Sequence, residues 1–444
     1  MNRVNNNYYV YLYALIAAIK IIFSALLLAY YPSSFFAPDT YSYVFPAQKI
    51  WSTMSFVNES GPEVFRTPGY SIFLSLSTML DIPMLQYVTS VNLLIIFFSA
   101  YAANKITFVV SNNKLASHVA AFMVLLSPDI LLSQHQILSE LLFTAFLISS
   151  VWLFIVWHRS ENTIYLIAAF LLLTLATFVR PTALYLPFLI AGLILFYLFF
   201  SDSLHRKLTV FIFVLVALGI HISAVEAWKD RNLRVAGTHE FSIAKSVILN
   251  EYIAAAIDAR GSRRDWYEIQ KEYRNGYEAL PVLDRERFVS KKLLENIQKY
   301  PYESTRIFLN GVFTNAMDAG FGEWLNFFGL RSQGSGIIYK YNNLSLPDFL
   351  VFLVDNEKLL LLSSFLGLLY MGAVWLGAFF ALNRLRLSFP ILLIVSVISY
   401  VLIISAGPQS LARFRVPVMP LILIFSAIGI SMVYVKIREK LFVS

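Results

Sequence analysis

Residues 39–43 read Asp39-Thr40-Tyr41-Ser42-Tyr43, and residues 65–70 read Phe65-Arg66-Thr67-Pro68-Gly69-Tyr70. The apolar piece that follows, Pro68–Leu80, decides the fold, because it either crosses a membrane or does not. It holds about 13 residues, whereas a helix crossing a hydrocarbon core needs about 20. It reads as an interfacial or re-entrant helix. The stretch directly follows an apolar run, Tyr8–Tyr31, that is long enough to span. No small-residue cleavage pattern follows that run, so it is expected to remain as a span. A carboxylate, an arginine and several tyrosines therefore fall at a membrane surface, where aromatic belts sit.

Composition agrees. The chain has 444 residues, 58% hydrophobic and only 14% charged, with a mean hydropathy of +0.65. Soluble domains are nearer a quarter charged. Lipid forces every backbone polar group to be satisfied internally, so the expected class is an all-α polytopic membrane protein. Ten spans are expected: Tyr8–Tyr31, Met84–Val110, Leu115–Leu126 completed by part of Ser127–Gln136, Leu138–Trp157, Thr163–Val179, Thr182–Phe200, Leu208–Trp228, Leu359–Leu382, Phe389–Ser405 and Val416–Val435. Three modules follow. Residues 1–228 form a membrane module with a first outer loop at 31–83. Residues 229–356 form a polar, mostly helical extracytoplasmic domain, and residues 357–444 form a three-helix membrane module. Within the polar domain, Ser242–Ile257, Arg263–Tyr277 and Asp284–Tyr300 read as helices and Gly320–Gly336 as a loop. No strand pattern stands out.

Charge placement tests the span count. With Pro68–Leu80 not crossing, Arg3, Lys105, Lys114, Arg159, Arg206, Lys207, Arg384, Arg386, Lys436, Arg438 and Lys440 fall on one side. That is the cytoplasmic side by the positive-inside rule. The net charge of +8 is thus explained by topology, and no nucleic-acid partner is expected. The absence of cysteine excludes disulfides, thiolate metal sites and cysteine nucleophiles. There is no phosphate-binding glycine loop and no zinc motif. No cofactor is expected, and a divalent metal is left open.

The residues left to carry chemistry share the other side. Asp39 sits just past the first span, where a carboxylate can take a proton from a hydroxyl. Arg66, Arg180, Arg413 and Arg415 occur in Arg66-Thr67-Pro68, Val179-Arg180-Pro181 and Arg413-Phe414-Arg415-Val416-Pro417. Arginines on the outer side run against the positive-inside bias, and guanidinium forks match phosphate oxygens. Glu140 opens a span and could orient an arginine. Tyr41, Tyr43 and Tyr70 are supporting candidates.

Together these pieces resemble a known group. Pro38-Asp39-Thr40-Tyr41-Ser42-Tyr43, Arg66-Thr67-Pro68-Gly69-Tyr70, Leu138-Ser139-Glu140-Leu141-Leu142-Phe143, Arg180-Pro181-Thr182 and Arg413-Phe414-Arg415-Val416-Pro417 run in the order seen in GT-C fold glycosyltransferases. The branch they resemble includes protein O-mannosyltransferases and the lipid A aminoarabinose transferase. The resemblance implies a polyprenyl-phosphate-linked sugar donor, a glycan, lipid or protein acceptor, and a site on the outer face of a bacterial cytoplasmic membrane. It implies Asp39 as catalytic carboxylate and Arg66 and Arg180 on the donor phosphate. Thr40 stands where the mannosyltransferase-like enzymes usually carry a second acid. Two alternatives stay open: a polymerase of polysaccharide repeat units using polyprenyl-diphosphate glycans, and a lipid or solute transporter. A transporter should place polar groups near the midplane on broken helices, and Lys20 is the main charged residue deep in a span.

Overall fold

The computed structural model describes residues 6–200, 204–330 and 346–442. Arg3, one of the basic residues used above, lies outside them. Helices make nearly the whole described structure: α1 (Asn6–Tyr30), α2 (Tyr41–Thr53), α3 (Pro68–Met79), α4 (Met84–Ser111), α5 (Lys114–Leu126), α6 (Pro128–Gln134), α7 (Glu140–Ser160), α8 (Thr163–Val179), α9 (Leu186–Phe199) and α10 (Leu204–Ala236) come first. The polar segment follows, then the helices Lys358–Leu382, Phe389–Ile404 and Met419–Phe442.

Among the described residues, seven helices are long and apolar enough to cross a membrane, or eight if the bent pair α5 and α6 forms one span. The shorter apolar helices Thr163–Val179 and Phe389–Ile404 complete the ten segments expected from the sequence. The chain is a multi-pass helical membrane protein. α3 is too short to cross, as read from its length. It lies against α2 and α8, with Tyr70, Ser71 and Leu74 fully enclosed.

Proline shapes the corners that matter. A residue before proline is pushed out of the helical region. Ser127, before Pro128, is extended, and the bend between α5 and α6 is 50°. Arg180, before Pro181, is extended at φ −140° and ends α8. Thr67, before Pro68, is extended, and Pro68 begins α3, where its missing N–H costs nothing. Each break turns the chain at the same end of the bundle.

The polar segment contains the three expected helices at Ala244–Ser262, Trp266–Glu278 and Val282–Lys299, the first interrupted by a π turn at Ile248–Ala254. They close over a small core of their own, Ala254, Ala255, Ala259, Ile269 and Tyr273. A fourth helix, Pro301–Met317, follows. Of Gly320–Gly336, residues 331–336 lie outside the described ones, and Phe321–Phe327 is helical rather than loop, its aromatic rings packing on Phe35 and one another. A two-residue ladder, Val57–Asn58 with Gly61–Pro62, was not legible as a strand pattern. It is set by a turn in which Asn58 Oδ1 accepts from the Ser60 amide at 2.8 Å and Gly61 takes φ +132°.

Candidate functional site

The site starts from Thr40. Its hydroxyl accepts from the Ala37 amide and donates to the Ile137 carbonyl, both at 3.0 Å. The side chain is fully buried. These bonds pin the turn that precedes α2 and aim Asp39 outward. Thr40 is therefore a fixing point of the loop, a role its sequence position does not suggest.

Asp39 lies between two guanidiniums. Its Oδ1 is 2.9 Å from Arg66 Nη2 and its Oδ2 is 2.6 Å from Arg413 Nη2. Burial alone would raise its pKa. Arg413 and Arg66 outweigh that and hold the carboxyl below its ordinary value. Arg66 also donates from Nε to Ser42 Oγ at 2.9 Å and from Nη1 to Tyr43 OH at 3.1 Å. Its guanidinium stacks over the Tyr43 ring at 4.5 Å. The turn carrying Arg66 is held by Glu63, whose Oε1 accepts from the amides of Phe65 (2.6 Å) and Arg66 (2.8 Å). Arg231 in turn donates to the Glu63 carbonyl at 2.6 Å, so α10 braces this corner. Glu63 was not singled out in the sequence. A lone acid in a polar loop gives no local signal there.

Arg180 pairs with Glu140, Nη1 to Oε1 at 2.7 Å, with Glu140 nearly fully enclosed. Desolvation opposes the charge on Arg180, but Glu140 prevails and keeps its pKa above the ordinary value. Arg180 and Arg413 approach the same Phe414 ring, at 5.9 and 5.2 Å. Tyr43 OH reaches Ser139 Oγ at 3.4 Å, and Arg180 Nη1 reaches the same oxygen at 3.5 Å. Asp39, Arg66, Arg413, Arg180, Glu140 and Tyr43 thus form one connected cluster. Three guanidiniums face two carboxylates, which leaves it net positive. Arg413 Nε is enclosed with no acceptor among the described residues.

Gly69 explains how two distant corners meet. A Cβ there would lie 2.7 Å from the Phe178 carbonyl oxygen and 2.9 Å from the Val179 nitrogen. Only glycine lets the Arg66 corner close onto the chain entering Arg180.

Asp39 and Arg413 also line a cavity of about 640 Å³, walled by Ser33, Ser34, Gln136, Glu323, Asn326 and others. That volume is ordinary for a small-molecule site. Arg66 and Arg180 sit behind these two residues and are not among its lining. Glu323 and Asn326 come from the Phe321–Phe327 helix, so reading that stretch as a loop hid them.

The remaining candidates separate. Arg415 does not join the cluster. It is completely buried and donates to Asp129 Oδ2 at 2.9 Å and to the Asn315 and Ala316 carbonyls at 2.7 and 3.1 Å. Those carbonyls are at the end of Pro301–Met317, where a helix's last carbonyls lack backbone donors and favour a cation. Tyr70 is fully buried, edge-on to Tyr43 at 5.1 Å, and serves packing. Tyr41 is largely exposed and stacks on Phe36 at 5.6 Å. Lys20 is buried and donates to Gln134 Oε1 at 3.1 Å, joining α1 to α6. Among the described residues, no group of three or more acidic or histidine side chains converges as metal ligands would.

No protein-family profile matches the sequence, and no curated protein is significantly similar to it. Among solved structures, ArnT from Cupriavidus metallidurans in the apo state is 11% identical, with a TM-score of 0.44 over 93% of this chain and 59% of that one. The Archaeoglobus fulgidus oligosaccharyltransferase in the apo form is 12% identical, with a TM-score of 0.46 over 96% of this chain and 52% of that one. The archaeal oligosaccharyltransferase AglB from the same organism, in complex with an inhibitory peptide and a dolichol-phosphate, gives 12% and 0.46 over 96% and 51%. The chain spans little more than half the length of these proteins.

Proposed function

We propose that the protein is an integral membrane glycosyltransferase that moves a sugar from a polyprenyl-phosphate donor to a hydroxyl-bearing acceptor on the extracytoplasmic face. The observation that carries this reading is Asp39 held between Arg66 and Arg413 at the wall of the cavity. An alcohol leaving group must be protonated, so glycoside hydrolysis usually needs two carboxylates. A phosphate leaves as a stable anion. One base then suffices, provided fixed cations take up the developing charge. The net positive cluster supplies cations, and Asp39 supplies the base.

The same geometry suggests how Asp39 becomes effective. Unliganded, its two arginines make it a weak base. A donor phosphate in the cavity engages Arg413 and draws its charge away from Asp39, which raises its basicity where it is needed. The acceptor hydroxyl enters through the cavity and gives its proton to Asp39. It attacks the anomeric carbon as the bond to phosphate breaks, which inverts that centre. The polar segment 229–356 selects the acceptor.

Asp39→Asn keeps size and one acceptor oxygen but cannot take a proton. We expect it to fold, bind polyprenyl phosphate, and lose roughly a hundred- to ten-thousand-fold in transfer. Tyr41→Phe is the control beside it, because Thr40 fixes the loop. Transfer at the wild-type rate by Asp39→Asn would remove Asp39 from the mechanism.

A further inference from the structure

A second site lies at the opposite end of the bundle. α7 begins at Glu140, in the cluster, and reaches Arg159 nineteen residues later. At 1.5 Å per residue that is about 28 Å, close to the thickness of a bilayer's hydrocarbon core. Arg159 and Lys105 of the neighbouring α4 therefore lie at the other membrane interface.

Between them α4 and α7 leave a groove of about 310 Å³. Its walls are apolar: Ile106, Val109, Trp152 and Ile155. Ile106 and Ile155 are buried and form its floor. Trp152 stacks on Tyr101 at 5.5 Å, and Lys105 Nζ lies 5.2 Å from that tyrosine ring, so one wall is fixed. Lys105 and Arg159 are the charged residues of the lining. Both are exposed, and neither pairs with a carboxylate among the described residues. A concave apolar slot in the last turns of α4 and α7 that ends under two cations without carboxylate partners has the shape and charge of a lipid: acyl chain below, anionic head group above. Basic pockets between spans at this interface hold anionic head groups.

We infer that this groove is a binding site for an anionic glycerophospholipid, with Lys105 and Arg159 on its phosphate and an acyl chain against Ile106 and Ile155. Charge complementarity selects this occupant. A neutral lipid would satisfy the slot but leave both cations unanswered. An apolar helix from a second copy would do the same.

The test is lipid retention by the full-length protein in detergent, read by native mass spectrometry. Purified protein is titrated with phosphatidylglycerol and, separately, with phosphatidylcholine. The wild type should hold one phosphatidylglycerol at least tenfold more tightly than phosphatidylcholine. Each cation near a head group contributes about fivefold, so Lys105→Gln with Arg159→Gln should lose roughly 30-fold. Val156→Trp fills the slot without touching the charges and should abolish the tight site. Arg384→Gln is the control. Arg384 is an exposed basic residue at the same end, since Phe389 packs on Trp157 at 5.7 Å, and it is not part of the groove. It should retain the lipid fully. Equal retention of the two lipids, or unchanged binding in both the double variant and Val156→Trp, overturns the proposal. Competition by free glycerol phosphate at the concentration of lipid would reduce the site to a phosphate site and overturn the lipid. A dimer lost in Val156→Trp would make the occupant a second copy.

Discussion

Arg413 and Arg415 are two residues apart, and their substitution by glutamine should have opposite consequences. Arg415 has no exposed surface, and Asp129 has almost none. Arg415→Gln removes the cation and leaves Asp129 enclosed. Breaking a buried pair by deleting one partner costs about 3–5 kcal/mol. Two features place this case at the lower end. Asp129 keeps its bond from the Ser127 hydroxyl and one from the Ile130 amide at 2.9 Å, and glutamine can still donate to one helix-end carbonyl. The expected loss is about 3 kcal/mol, or more than a hundredfold in the folded ratio. Arg413 is a quarter exposed, and its partner Asp39 a third, so Arg413→Gln should cost under about 1 kcal/mol while weakening donor binding. The assay is reversible denaturation of purified protein in mixed micelles, run beside binding of polyprenyl phosphate to the folded fraction. Asp129→Asn completes a double-mutant cycle and should couple to Arg415→Gln by about 2 kcal/mol. A stable Arg415→Gln that binds donor poorly would refute the separation of roles.

Three further outcomes follow from the geometry. Since Arg413 and Arg66 hold the Asp39 carboxyl down, it stays ionised as pH falls through the ordinary carboxylate range. The acid limb of kcat/KM should therefore lie below the ordinary carboxylate range, and Arg413→Gln should move it to higher pH, because burial remains while the stronger cationic influence is gone. A common limb in both proteins would show that Arg413 does not set it. Gly69→Ala should separate the Arg66 and Arg180 corners, since its methyl would meet the Phe178–Val179 backbone; transfer should fall at least tenfold, and an unaltered rate would show that the corners need not touch. Because the chain has no cysteine, single cysteines report sidedness cleanly: Ser60→Cys should react with an impermeant thiol reagent from outside, and Ser160→Cys should not. Labelling of both from outside would invert or break the topology.

Much was readable from sequence because the causes are local. Apolar length determines which segments cross a membrane, and it separated Pro68–Leu80 from the spans without any structure. Proline two residues or fewer after Arg66, Arg180 and Arg415 breaks the backbone wherever it occurs, so those corners were visible, as was a carboxylate at Asp39. What each corner meets was not visible. Arg413 and Asp39 are 374 residues apart, and only tertiary packing brings them together. Arg413 and Arg415 looked alike in sequence, yet in a turn of about three residues, side chains two apart point about 120° away from each other. One faces the cavity and the other the core, and no local rule chooses between them. Glu63 and Glu323, and the loop-fixing role of Thr40, are hidden for the same reason. Their partners are backbone groups or walls supplied by folding, and an amino-acid type alone does not announce the amide or cavity it will face.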